Sequence, residues 1–237
     1  MVLRLRQTLT ALVVVLIVLP LMAATALAAP PATDSWTFTQ KGFQANASES
    51  TCTTAGDLVT CSGQSVYVFS GNTREQGSGA VRGTQVCVNF YTDVFDEATG
   101  EPVSFTNEFG CTTDVGAGTA IQRDLSSASI SATTVPLQGE TCVRVGDDFQ
   151  CTPGEETRDV VVEGTFTATS TSVRWSNRSF YDDGVCVFRD SFRGTAAIAM
   201  FVGTIDGQAV EITNDETGYA EIANGMSSNS GRCSLTG

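Results

Sequence analysis

Histidine is absent from the 237-residue chain. That removes Ser-His-Asp and Cys-His catalysis and every histidine-ligated metal site. An enzymatic reading must therefore rest on carboxylates, tyrosine, arginine or a bound cofactor. Lysine is almost as scarce: Lys41 stands alone among 13 basic residues, against 26 acidic ones. Setting aside Arg4 and Arg6 leaves 11 basic residues and a balance of −15. A surface of that sign favours solubility, repels nucleic acid and anionic lipid, and can attract a cationic partner. No Cys-x-x-Cys pair occurs, so thiolate zinc sites lack the short paired spacings they need. Past the first 30 residues there is no long apolar run, so no stable membrane anchor is expected once the N-terminal segment is gone.

That segment reads as a secretory signal. Arg4 and Arg6 give it a positive start, Leu9–Leu19 an apolar stretch ending at Pro20, and Ala26-Leu27-Ala28 a small-x-small cleavage site. The expected organisation is a signal peptide at 1–28 and one β-rich domain at 29–237, secreted to an extracellular or periplasmic space. All eight cysteines lie in the second part. An even count behind a signal peptide predicts structural disulfides formed in an oxidising compartment.

Two cysteine pairs are legible in detail. Thr51–Cys61 (TCTTAGDLVTC) recurs as Thr141–Cys151 (TCVRVGDDFQC). Gly56-Asp57 and Gly146-Asp147 carry glycine at the first central position, as a type II′ hairpin turn requires. Counting outward from Gly56-Asp57 pairs Ala55 with Leu58, Thr54 with Val59, Thr53 with Thr60, and Cys52 with Cys61. Alternation makes the cysteine pair a non-hydrogen-bonded one, the closer of the two kinds, which suits a disulfide. Cys142 and Cys151 repeat the arrangement. Cys87, Cys111, Cys186 and Cys233 then allow three pairings. Cys87–Cys111 with Cys186–Cys233 is one; Cys87–Cys186 is its rival, because both sit in a Val-Cys-Val setting.

The remaining pattern has the period of strands. Trp36 and Phe38 open a first strand with a break at Lys41-Gly42, and Phe43–Ser50 leads into the first hairpin. Ser65–Phe69 is a short strand bounded by Gly63 and Gly71. Ser127–Pro136 puts Ala128, Ile130, Ala132 and Thr134 on one face. Thr195–Val202 is apolar on both faces and reads as a central strand. Asp206-Gly207 is a further hairpin turn. The expected fold is an all-β, disulfide-stapled antiparallel sandwich or barrel. The repeated hairpin suggests an internal duplication of halves 35–124 and 125–226, followed by a polar tail at 227–237.

Three groups are candidates for chemistry. Adjacent acids such as Asp96-Glu97 sit in turns and, on a strand, would point to opposite faces, which suits solvated turns better than a glycosidase pair. Asp93, Asp96, Glu97 and Glu101 cluster around one loop with the hard oxygen ligands calcium takes, although the spacing is not that of an EF-hand. Trp175, Arg178 and Tyr181 could form a stacking platform for carbohydrate, though Trp175 and Tyr181 share a face and such faces are commonly core. Asn46 and Asn177 fit glycosylation acceptors. The functional expectation is a secreted, non-catalytic binding or surface-interaction module. A carboxylate-based hydrolase of polysaccharide and a purely structural envelope or matrix component are the alternatives. No cofactor is expected beyond calcium.

Overall fold

The Gly56-Asp57 hairpin forms in the expected register, with Cys52 opposite Cys61. Gly56 takes φ +63° while Asp57 is not among the non-glycine residues with positive φ, the combination of a type II′ turn. Gly146 has φ +69°, and Cys142 lies opposite Cys151. In this computed structural model the described residues are 35–146, 148–154, 158–182 and 186–233. The expected signal peptide, Asp147, the Glu155-Glu156 pair, the Asp183-Gly184 turn and the last four residues lie outside them. Nothing stands within 4 Å of a Cβ placed on Gly56, so a side chain there meets only its own backbone strain. Gly56→Val should cost about 1 kcal/mol in thermal unfolding; unchanged melting would reject the turn assignment.

The described residues form twelve strands: β1 (Ser35–Ala55), β2 (Leu58–Glu75), β3 (Val81–Asp96), β4 (Pro102–Thr112), β5 (Ala120–Ile121), β6 (Ser127–Val145), β7 (Asp148–Pro153), β8 (Arg158–Ala168), β9 (Val173–Asp182), β10 (Cys186–Ile205), β11 (Gln208–Ile212) and β12 (Gly218–Cys233). Every pairing is antiparallel. One layer runs β9-β10-β12-β1-β2-β3-β4-β6-β7 and the other β11-β10-β8-β6-β5. Strands β6 and β10 are shared, each bonding in one layer with its first part and in the other with its second. Because β8 bonds to both β6 and β10, the ladder returns on itself through eight strands. Strands that pass from one layer to the other are a normal way to make such corners.

A single apolar core fills the space between the layers. Ala45, Val68, Val86 and Ile222 face Ile130, Val162, Phe166 and Phe201 across it, and all belong to one buried cluster. Both halves of the chain contribute to it.

Several strands are longer than the sequence suggests. The Lys41-Gly42 break does not exist: β1 runs 21 residues without interruption, about 70 Å of extended chain. Gly42 is paired with Gly71 and Gly225, which are paired in turn with Gly83 and Gly194. These five glycines form one row straight across five neighbouring strands. A Cβ on Gly42 would meet the Ser70 carbonyl and, 2.7 Å away, the Gly71 Cα. The row thus marks close backbone approach within a strand rather than its end. Gly63 and Gly71 likewise lie inside β2.

In the part of β6 that pairs with β8 the buried set is Ala128 and Ile130, then Thr133, Val135 and Leu137. A register shift between Ile130 and Thr133 reverses the alternation expected through Ala132 and Thr134. Thr133 holds the irregularity, donating to the Ser131 carbonyl at 2.6 Å and accepting from the Gly116 N–H at 3.1 Å. In β10, Ala197, Ala199 and Phe201 are buried but Ile198 and Val202 are exposed, so only one face is core. The polar stretch 227–233 is strand, bonded to β1 and β10.

Candidate functional site

Past the core, β9, β10, β12, β1, β2 and β3 continue as a six-stranded extension. Opposite residues of an antiparallel pair project to the same side, so the register assigns each side chain to a face. One face continues the core side and the other is the outer side that carries the glycine row.

The outer face is aromatic. Trp175 of β9 stacks on Phe192 of β10, with ring centroids 4.2 Å apart and planes at 26°. Phe192 reaches over Gly194 and Gly225, where any Cβ would collide with its ring. Tyr181 pairs with Phe188 across the same two strands, at 6.2 Å. Phe188 is followed in its row by Gly231 and Trp36, whose indole occupies the space a side chain on Gly231 would need. Of the sequence candidates, Trp175 and Tyr181 therefore do share a face, but it is surface: they are 40% and 62% exposed. Arg178, opposite Ser191, projects from the other face.

That other face is basic. Arg193, Met226, Lys41, Asn72 and Arg82 form one row across β10, β12, β1, β2 and β3. The next row on this face holds Arg178 and Arg74, the one after it Arg189, and the outermost Arg232. Arg174 lies one row nearer the core. Eight of the 11 basic residues that follow Arg6 are thus on one face of one extension, and all eight are exposed. Among the described residues, no carboxylate side chain shares the four rows from Arg174 to Arg189. The ion pairs among the described residues use Arg144, with Glu101, and Arg158, with Glu108 and Asp206, both elsewhere. Arg189 lies over the Phe180 ring, 5.9 Å from its centroid.

At the opposite end of the molecule the acidic candidates are dispersed. Asp96 spends its carboxylate inside its own loop, accepting from the Ala98 and Thr99 N–H groups and the Thr99 hydroxyl, which holds its pKa below the usual carboxylate value. Asp215 is held down to about 2 in the same way, by Thr217, Thr213 and Gly218. Glu101 is paired with Arg144. These two, with Asp96, Thr99, Pro102, Val103 and Gly146, line an open depression of about 360 Å³, so two of the four acidic loop candidates, Asp96 and Glu101, border it. Glu97 enters only through its backbone N–H, which donates to the Asp57 carbonyl.

Asp93 projects from the outer face, in a row that reads Cys52, Cys61, Asp93, Phe105, Cys142, Cys151. It stands between the two hairpin disulfides, next to no second carboxylate in its row. Glu140, Cys142 and Cys151 bring possible ligand atoms within 4.8 Å of one another, but the two sulfurs are bonded to each other.

Burial raises the Asp93 pKa. Between the unfolded value and that raised one the folded state binds more protons, so stability falls as pH rises through the window. Asp93→Asn should therefore raise the melting temperature at pH 7 and leave it little changed at pH 3. A lower melting temperature at pH 7 would mean the carboxylate has a stabilising partner.

What sequence reasoning missed is the basic face, whose members come from six separate strands of the chain. Among the described residues no helix is long and apolar enough to cross a membrane. Comparison with protein-family models, with curated proteins and with solved structures gives no match to this chain.

Proposed function

We propose that the chain is a secreted, non-catalytic binding module that works at an extracellular surface. The observation that carries this reading is the six-stranded extension, which presents aromatic side chains on one face and, on the other, cations that make no ion pair among the described residues, away from the core. Broad exposed faces of this kind suit recognition of an extended partner. Three disulfides fit an oxidising environment. The hydrolase alternative calls for two carboxylates converging from different strands, one with a raised pKa. Asp93 has the raised pKa, but Cys61 and Phe105 are its neighbours across the row.

The same reading takes 29–237 as one exported domain built from degenerate halves. In the first half Cys52–Cys61 joins β1 to β2 and Cys87–Cys111 joins β3 to β4; in the second Cys142–Cys151 joins β6 to β7, and the register sets Cys186 of β10 opposite Cys233 of β12. The test is to incubate the mature chain with soluble and insoluble polysaccharides and to assay retention and newly released reducing ends together. Retention without release is expected. Release would replace this reading with the hydrolase one.

A further inference from the structure

We propose that the basic face of the extension binds an extended acidic polysaccharide, its carboxylates seated against the row that contains Arg193, Lys41 and Arg82. This deepens the binding-module reading and rests on it. The placement of charge carries the inference. The chain after Arg6 has a balance of −15, yet eight positive charges share this face, so by sequence the remainder stands at −23. Screening over about 8 Å at physiological ionic strength lets the local face act on its own. The acidic remainder still opposes any polyanion that wraps around the molecule, so the ligand must lie flat on the one face.

Spacing narrows the ligand further. Along the central row, cations alternate with Met226 and Asn72, putting neighbouring charges two strands apart, about 9.6 Å. A polymer alternating acidic and neutral sugars offers charge at that low density. Duplex nucleic acid offers one charge per about 1.7 Å, far denser than the cations here. Its single-stranded form would seek stacking aromatics on the binding face, but the aromatic set lies on the other side, apart from Phe180 and from Phe43, which packs against the core. Ser191, Ser228, Thr39 and Asn72 stand among the cations and can hydrogen-bond sugar hydroxyls. Arginine is suited to hold carboxylates bidentately.

The test measures affinity of the mature, disulfide-intact chain for hyaluronan, in which a carboxylated sugar alternates with a neutral one, with dextran, single-stranded DNA and phosphatidylserine-containing vesicles as rival probes. Binding to hyaluronan should fall steeply with salt and exceed that to the other three at matched ionic strength. Arg193→Gln/Lys41→Gln/Arg82→Gln should weaken it on the order of tenfold or more at low salt, and Arg144→Gln should not. All three replaced side chains are exposed, and an unchanged near-ultraviolet spectrum verifies the fold. Arg178→Gln/Arg74→Gln provides a second, independent loss.

Tighter binding of DNA or vesicles, or an unaffected triple variant, would overturn the proposal. So would concentration-dependent self-association that the triple variant abolishes, which would assign the face to the acidic end of a second copy. If the triple variant still binds polysaccharide while Trp175→Ala does not, this inference falls and the binding module stands. If the polysaccharide is cleaved, the module reading itself falls.

Discussion

Phe201→Ala should destabilise the protein by about 3–5 kcal/mol, toward the upper end of that range. Phe201 is fully buried and directly opposite Phe166 where β10 meets β8, the pairing that closes the ring of strands. The two rings sit 4.8 Å apart at 49°, a tilted contact that adds to area burial. The ring also lies against Gly164 and Gly203, themselves a cross-strand pair. With glycines on that side, no neighbouring side chain can swing in to fill the cavity, so the site collapses poorly. Val202→Ala makes the natural control, since Val202 is exposed on the opposite face and should change stability by no more than about 0.5 kcal/mol. Urea unfolding of the two variants measures both. A cost below about 1.5 kcal/mol for Phe201→Ala would mean that the β8–β10 seam is not part of the cooperative core.

How much of this was legible follows from the range over which each signal acts. The hairpin disulfides were readable because their geometry is local: a glycine at the turn and strand parity decide which residues oppose. The all-β class was readable from alternation for the same reason. Strand continuity was not. Gly42, Gly63 and Gly71 carry the composition of breaks, yet their role is set by a neighbouring strand's backbone or by an aromatic ring such as that of Tyr91, which lies against Gly63. The phase of β6 was lost at the irregularity held by Thr133, a contact to a distant loop residue, Gly116. The candidate site failed in the same way. Trp175 and Tyr181 were found by parity, and parity correctly gave them one face, but not whether a second layer covers it. Nothing local relates Lys41 to Arg82 or Arg193; only register over five strands does. Total charge, −15, therefore pointed toward a cationic partner while the arrangement of that charge favours an anionic one.

Removing the Cys87–Cys111 bridge should cost more than removing either hairpin clip, although all three join adjacent strands. The bridge closes a loop with a sequence separation of 24, against 9 for Cys52–Cys61 and Cys142–Cys151. The chain-entropy expression gives about 3.5 kcal/mol for the longer loop and about 2.7 for the shorter ones. Position widens the gap. Cys52–Cys61 lies four pairs from a turn that already fixes its register, whereas Cys87–Cys111 lies at the far end of the β3–β4 ladder, where β4 leaves the sheet. Cys87 is also buried, in a small cluster with Tyr67 and Phe69. Cys87→Ala/Cys111→Ala should thus lower stability by about 3.5 kcal/mol or more, and Cys52→Ala/Cys61→Ala by less, in parallel denaturant titrations. The reverse order would show that turn-proximal closure dominates. Since Cys87 is bonded to Cys111, the rival Cys87–Cys186 pairing is excluded. Backbone register sets Cys186 opposite Cys233 at the open end of the β10–β12 ladder. Non-reducing peptide mapping should find those two linked, and free thiols at both would show that this corner of the sheet is held by its backbone alone.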